Sequence, residues 1–159
     1  MKKTKTPVLY LGDTSLDTAA SYLAGVMTHF NIGFDYIASD EAADQVLLDE
    51  AEYRLIILSD YPAPNLTMSQ VERIVARVGG GAGLLMIGGW DSFQGSGGSY
   101  SGTAIEEVLP VWISPADDRM NCSFPCLVHK LEEHPVLADL PFGEPPCIGG
   151  YNRVSPKNC

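Results

Sequence analysis

The sequence predicts a three-layer α/β sandwich on a mostly parallel sheet, and three observations carry that expectation. Short apolar runs alternate with amphipathic stretches at helical spacing over the first two-thirds of the chain. The connections between them are short, which suits β-α-β units with right-handed crossovers. The runs Leu55-Ile56-Ile57-Leu58 and Leu84-Leu85-Met86-Ile87 lack polar alternation, the mark of strands buried on both faces.

Each element has its own signal. Pro7-Val8-Leu9-Tyr10-Leu11 reads as a buried strand closed by Gly12-Asp13. Leu16, Ala19, Ala20, Leu23, Val26, Met27 and Phe30 recur at three- and four-residue steps, predicting a helix over 16–30. Ser15 is its expected N-cap and Asn31-Ile32-Gly33 its stop. Phe34–Ala38 alternates, as an edge or near-edge strand does, and a short acidic helix is expected over 40–51. The best strand, Tyr53–Leu58, belongs at the centre of the sheet. A helix capped by Thr67 or Ser69 follows, with Val71, Ile74, Val75 and Val78 inward and Gly79-Gly80-Gly81 ending it. Gly83–Gly88 is the fourth strand. The whole is a flavodoxin-like design with helices on both faces.

Beyond Gly95 the character changes. Residues 95–102 read as a flexible glycine-rich loop or lid, because they lack the Lys and Ser/Thr of a phosphate-binding loop. Thr103–Leu109 suits a short helix, Pro110–Ile113 a strand entry and Phe124–His129 one further strand. No internal repeat is visible, and the length fits one domain over 1–159, since domains run to about 100–200 residues.

Composition narrows the function classes. The net charge of −10 leaves no basic face for phosphates, which argues against a nucleic-acid partner. Lys2, Lys3 and Lys5 make only a short solvated tip. No apolar stretch suits a signal peptide or a membrane span, so a cytoplasmic protein without membrane contact is expected. Cys122, Cys126, Cys147 and Cys159 are late and irregularly spaced, as free thiols are.

Ligands of parallel α/β sheets bind beyond the carboxyl ends of the strands. Three polar turns fall there: Gly12-Asp13-Thr14-Ser15, Ser59-Asp60-Tyr61-Pro62 and Gly88-Gly89-Trp90-Asp91-Ser92. Asp13, Asp60 and Asp91 could converge on a cation, a sugar or a phosphorylated group. Aspartates at such turns also cap helices and close Asx turns, a role expected for two of the three. Trp90 could stack on a ring ligand or simply cover the sheet end. Cys122, Cys126, His129 and His134 are soft ligands, but their spacing is too crowded for zinc, and strand alternation would part Cys126 from His129. No metal or other cofactor is expected. His134, before Pro135, is either a turn cap or an active-site imidazole.

The stretch Val78-Gly79-Gly80-Gly81-Ala82-Gly83-Leu84-Leu85-Met86-Ile87-Gly88-Gly89-Trp90-Asp91-Ser92-Phe93, with the later His134-Pro135-Val136-Leu137, resembles the glutamine amidotransferase-like proteins. These are a branch of the class I glutamine amidotransferase-like superfamily, near the ThuA-like proteins. The resemblance runs from the first strand to Gly149-Gly150-Tyr151-Asn152-Arg153 and implies the flavodoxin-like core. Family members that hydrolyse glutamine carry a cysteine at a strand-to-helix elbow, completed by a later His and Glu. Here the matching turn, near Trp90, has no cysteine, so the thiolate route is not expected. Such proteins also usually run on past a segment like Gly150–Arg153. A chain shortened at its C-terminus is therefore expected, and an exposed sheet edge would favour a homo-oligomer.

Two functional expectations follow, with a third behind them. The first is a domain that binds a small polar ligand, sugar-related chemistry being the candidate, through Asp13, Thr14, Asp60, Tyr61, Gly89, Trp90 and Ser92. The second is a hydrolase-type enzyme with Asp91 and His134 as its catalytic groups, with or without a metal. The third is a receiver-like signalling domain, since Asp13 and Asp60 follow strands one and three. No second acid stands beside Asp13, and no Lys-Pro follows a fifth strand.

Overall fold

A computed structural model describes residues 7–43 and 52–158. Four parallel strands form the central sheet: β1 (Val8–Gly12), β2 (Phe34–Ile37), β3 (Leu55–Ser59) and β4 (Gly83–Ile87), in the order β2-β1-β3-β4. The chain turns from β1 to β2 on one side, then crosses β1 to build β3 and β4 on the other. That reversal leaves the crevice between β1 and β3, where doubly wound sheets hold ligands. The register pairs Gly12 with Ser59, so both polar turns start at the same level.

Strand alternation divides the core. Leu9, Leu11, Ile56 and Leu58 face α2 (Met68–Gly79) and α3 (Ala104–Val108), packing with Val71, Ile74, Ile105 and Leu109. Val8, Tyr10 and Ile57 face the other way, against Ala20 and Met27 at α1 (Ser21–His29). Each of these aliphatic side chains contributes about 1.5–3 kcal/mol by full burial. The inner face of α2 is as expected, and Thr67 closes a capping box with Gln70.

Several boundaries differ from expectation. The α1 helix begins at Ser21, because Ser15 is spent on the turn before it. The Ser15 carbonyl accepts the N–H groups of Thr18 and Ala20, and its hydroxyl accepts that of Asp17. The stop is where expected: Asn31 takes a left-handed φ of 55°, and the Ile32 N–H donates back to the Met27 carbonyl. Most of the acidic helix expected over 40–51 lies outside the described residues. The fourth strand, read as two-sided, is an edge strand among the described residues. Leu84 and Met86 pack on the core, but Leu85 on the opposite face is 43% exposed.

The second half forms two small antiparallel ribbons. β5 (Val111–Trp112) pairs with β8 (Ser155–Pro156). β6 (Arg119–Leu127) pairs with β7 (Cys147–Asn152), so the strand expected at 124–129 starts earlier and ends before His129. These ribbons return Asn152 and Arg119 to the end of β4.

Candidate functional site

Gly12, at φ 139°, begins the site. A Cβ there would overlap the Ser59 carbonyl, so only glycine lets β1 and β3 approach this closely at their ends. Asp13 and Asp60 follow with left-handed φ values of 54° and 51°, an arrangement that costs backbone energy and recurs at functional sites. The Asp13 carboxylate accepts the hydroxyls of Tyr10 and Ser59, while its carbonyl accepts the Tyr36 hydroxyl at 2.9 Å. Burial, followed by the Asp13 carboxylate, holds Tyr36 above its ordinary pKa.

Asp60 ties the second turn to the third. Its N–H donates to the buried Ser92 hydroxyl at 2.9 Å, and its carboxylate accepts the Asp91 N–H. A Cβ on Gly89 would overlap that carboxylate, which explains the glycine. Burial pushes the Asp60 carboxyl upward, the Asp91 N–H partly offsets this, and the Asp91 and Asp13 carboxylates push it further up. Asp60, Asp91 and Ser92 thus form one bonded cluster, with Gly89 packed against the Asp60 carboxylate and Asp13 on the neighbouring strand.

Asp118 and Asn152 hold the third turn, and sequence reasoning gave neither a role. Asp118 is 1% exposed and accepts the N–H groups of Gln94 and Gly95, both at 3.0 Å, and the Asn152 amide at 2.8 Å. Asn152 in turn accepts the Gly89 N–H at 2.9 Å and donates to the Gly89 carbonyl. The two side chains therefore clamp both ends of the segment from Gly89 to Gly95. This corrects the reading of residues 95–102 as a flexible lid. Gly95 and Gly98 are buried, and the Trp90 and Phe93 carbonyls accept the Ser96 and Tyr100 N–H groups. The paired Asp117-Asp118 and the Tyr151-Asn152 stretch were visible, but nothing local announces partners 24 and 63 residues away.

Other expected site residues fall elsewhere. Tyr61 is fully buried in the core, its hydroxyl donating to the Glu41 carbonyl, and burial pushes its pKa up to about 12. It is a core tyrosine. Thr14 is exposed beside Asp13. His134 is exposed and caps a short 3-10 turn, its Nδ1 accepting the Val136 N–H. Among the described contacts none joins His134 to Asp91 or Asp60, and no three His, Cys, Asp or Glu side chains converge as metal ligands.

A groove of about 590 Å³ opens on the far side of the clamp. The end of β4 from Met86 to Trp90 forms one wall; Arg119–Asn121 and Ile148–Asn152 form the other. Trp90 is 66% exposed, with the Arg119 guanidinium 4.6 Å from its ring centre. Arg119 also holds Asp117 at 2.7 Å, and that hydrogen-bonded pairing lowers the Asp117 carboxyl to about 2. The groove therefore offers an aromatic face, a guanidinium and the Asn121 amide in one place. Its size is that of a small-molecule site, and the three carboxylates lie outside its lining.

A parallel sheet of this order, with its polar turns at the crevice, is the flavodoxin-like α/β fold of class I glutamine amidotransferase-like proteins. The chain belongs to the family described as "Putative glutamine amidotransferase", whose model matches residues 10–159. No curated protein matches it significantly. Among the described residues no helix is long and apolar enough to cross a membrane.

Proposed function

We propose that this chain binds a small polar ligand in the groove beside Trp90, with a sugar as the leading chemistry, and does not hydrolyse glutamine through a thiolate. The observation that carries the reading is the exposed Trp90 ring, flanked by Arg119, on the wall of a groove of about 590 Å³. A ring ligand stacks on the indole while its polar edge meets the guanidinium and the Asn121 amide. No cysteine precedes Cys122, so the turns after β1, β3 and β4 offer no thiolate nucleophile. In this reading Asp13, Asp60 and Ser92 shape the turns from behind and do not touch the ligand. On the same reading the chain sits near the ThuA-like branch and works in the cytoplasm. The edge of β4, unpaired among the described residues and with Leu85 exposed, supports self-association.

The test is a thermal-shift screen of the folded protein against sugars, sugar acids, amino acids and nucleotides. Stabilisation by one class, lost in Trp90→Ala and weakened in Arg119→Ala, supports the reading. A well-folded sample that no compound stabilises counts against it.

A hydrolase-type reading draws on the raised carboxyl of Asp60, a proton-holding group between two other acids. It predicts a hydrolytic activity that disappears in Asp60→Asn.

A further inference from the structure

The β6–β7 ribbon holds a pair of thiols that the groove does not use. Between the pairs Asn121↔Gly150 and Cys126↔Ile148 the register slips. Five steps along β6 there face two along β7, which span about 6.6 Å at roughly 3.3 Å per residue. The residues between therefore bulge outward, and the ends of the bulge are drawn together. Cys122 and Cys126, four apart in sequence, stand at those ends. Their sulfurs are 2.9 Å apart and hydrogen-bonded. On a regular strand, residues four apart would be separated by about 13 Å.

From this juxtaposition we propose that Cys122 and Cys126 form a dithiol site, closed reversibly to a disulfide by exchange with a small-molecule disulfide. With the sulfurs already 2.9 Å apart, closing to the roughly 2.05 Å of a disulfide bond needs only a small movement of the two side chains. Both side chains are half-buried, so a small disulfide can reach them, and Phe124 at the tip of the bulge is exposed. Cys147 does not compete. It opposes Leu127, which puts it on the other face of the ribbon from Cys126. Cys159 lies outside the described residues.

The exchange takes two steps. One cysteine thiolate attacks a sulfur of the incoming disulfide, forming a mixed disulfide and expelling one thiolate. The second cysteine, deprotonated, attacks the protein-side sulfur of that bond and expels the other thiolate. The protein loses two electrons and two protons, and the small disulfide is reduced to two thiols. Arg119, Met120 and Asn121 of the same strand line the groove, so the bond staples the strand just beyond that wall.

Oxidised glutathione is the probe. The folded chain is incubated with it, quenched with acid, alkylated and mapped by peptide mass. The expected result is one peptide, lighter by two hydrogens, with Cys122 and Cys126 joined. The mixed disulfide on Cys122 or Cys126 should not accumulate in the wild type, because the second thiol is already in place to resolve it, whereas Cys147 should keep its glutathione adduct. Cys122→Ser should stop at a stable glutathione adduct on Cys126, and Cys126→Ser at one on Cys122. Separate adducts on both cysteines of the wild type, a bond to Cys147, to Cys159 or between molecules, or no reaction would each overturn the proposal. The wild-type map decides alone if either variant fails to fold.

Discussion

Replacing Asp118 tests how the site is held together. Its carboxylate, 1% exposed, accepts two backbone N–H groups from the glycine-rich loop and the amide of Asn152. A hydrogen bond to a charged acceptor contributes about 1.5–3 kcal/mol, and a buried donor left without a partner costs a similar amount. Three such bonds share one centre and do not add fully, so Asp118→Ala should cost about 3–5 kcal/mol. That is a large part of the roughly 5–15 kcal/mol by which domains are stable. Asp118→Asn keeps the shape but turns an NH2 group toward an N–H donor, and should cost about 1–3 kcal/mol. Urea unfolding gives the magnitudes, and hydrogen exchange at Gln94 and Gly95 shows where the loss falls. If both variants unfold within about 0.5 kcal/mol of the wild type, with protection at those amides unchanged, the clamp is not what orders the loop.

The neighbouring residues give three further outcomes. Gly89→Ala should cost about 1–3 kcal/mol by overlap with the Asp60 carboxylate. That cost should shrink in an Asp60→Ala background, which a double-mutant cycle of unfolding energies would show. Gly12→Ala puts a Cβ onto the Ser59 carbonyl at a φ of 139°, so little folded protein should be recovered and its circular dichroism should be reduced. Asp60 has a raised folded pKa, so the stability it adds is full below its unfolded value and fades as pH rises through the folded one. Asp60→Asn keeps an acceptor for the Asp91 N–H, and its melting temperature should gain on the wild type as pH rises from about 4, the unfolded value of an aspartate.

Local chemistry made much of the fold legible. Unbroken aliphatic runs placed β1 and β3, alternation put Phe34–Ala38 at or near an edge, and Thr67 or Ser69 marked the start of α2, where Thr67 is the cap. The polar turns were legible for the same reason, since each directly follows a strand. What failed was non-local. Asp118 is 24 residues from the Gln94 N–H it accepts, and Asn152 is 63 from Gly89. Without those partners the loop from Gly95 to Gly102 reads as a mobile lid. Tyr61 looked like a site residue because it follows Asp60, but the hydroxyl of a buried tyrosine needs a partner, and the Glu41 carbonyl supplies it. The composition of β4 suits two buried faces, yet one stays open among the described residues. A strand's composition does not say what lies against it.

Tryptophan fluorescence reads ligand binding at Trp90 itself. With Trp112→Phe, Trp90 is the only indole left of the two in the chain, and its emission reports on the groove. Titration with a sugar panel should give a saturable change in emission for at least one ligand, and Arg119→Ala should weaken it. A folded protein whose Trp90 emission stays flat across the panel, while the same sample releases ammonia from glutamine, would contradict the account.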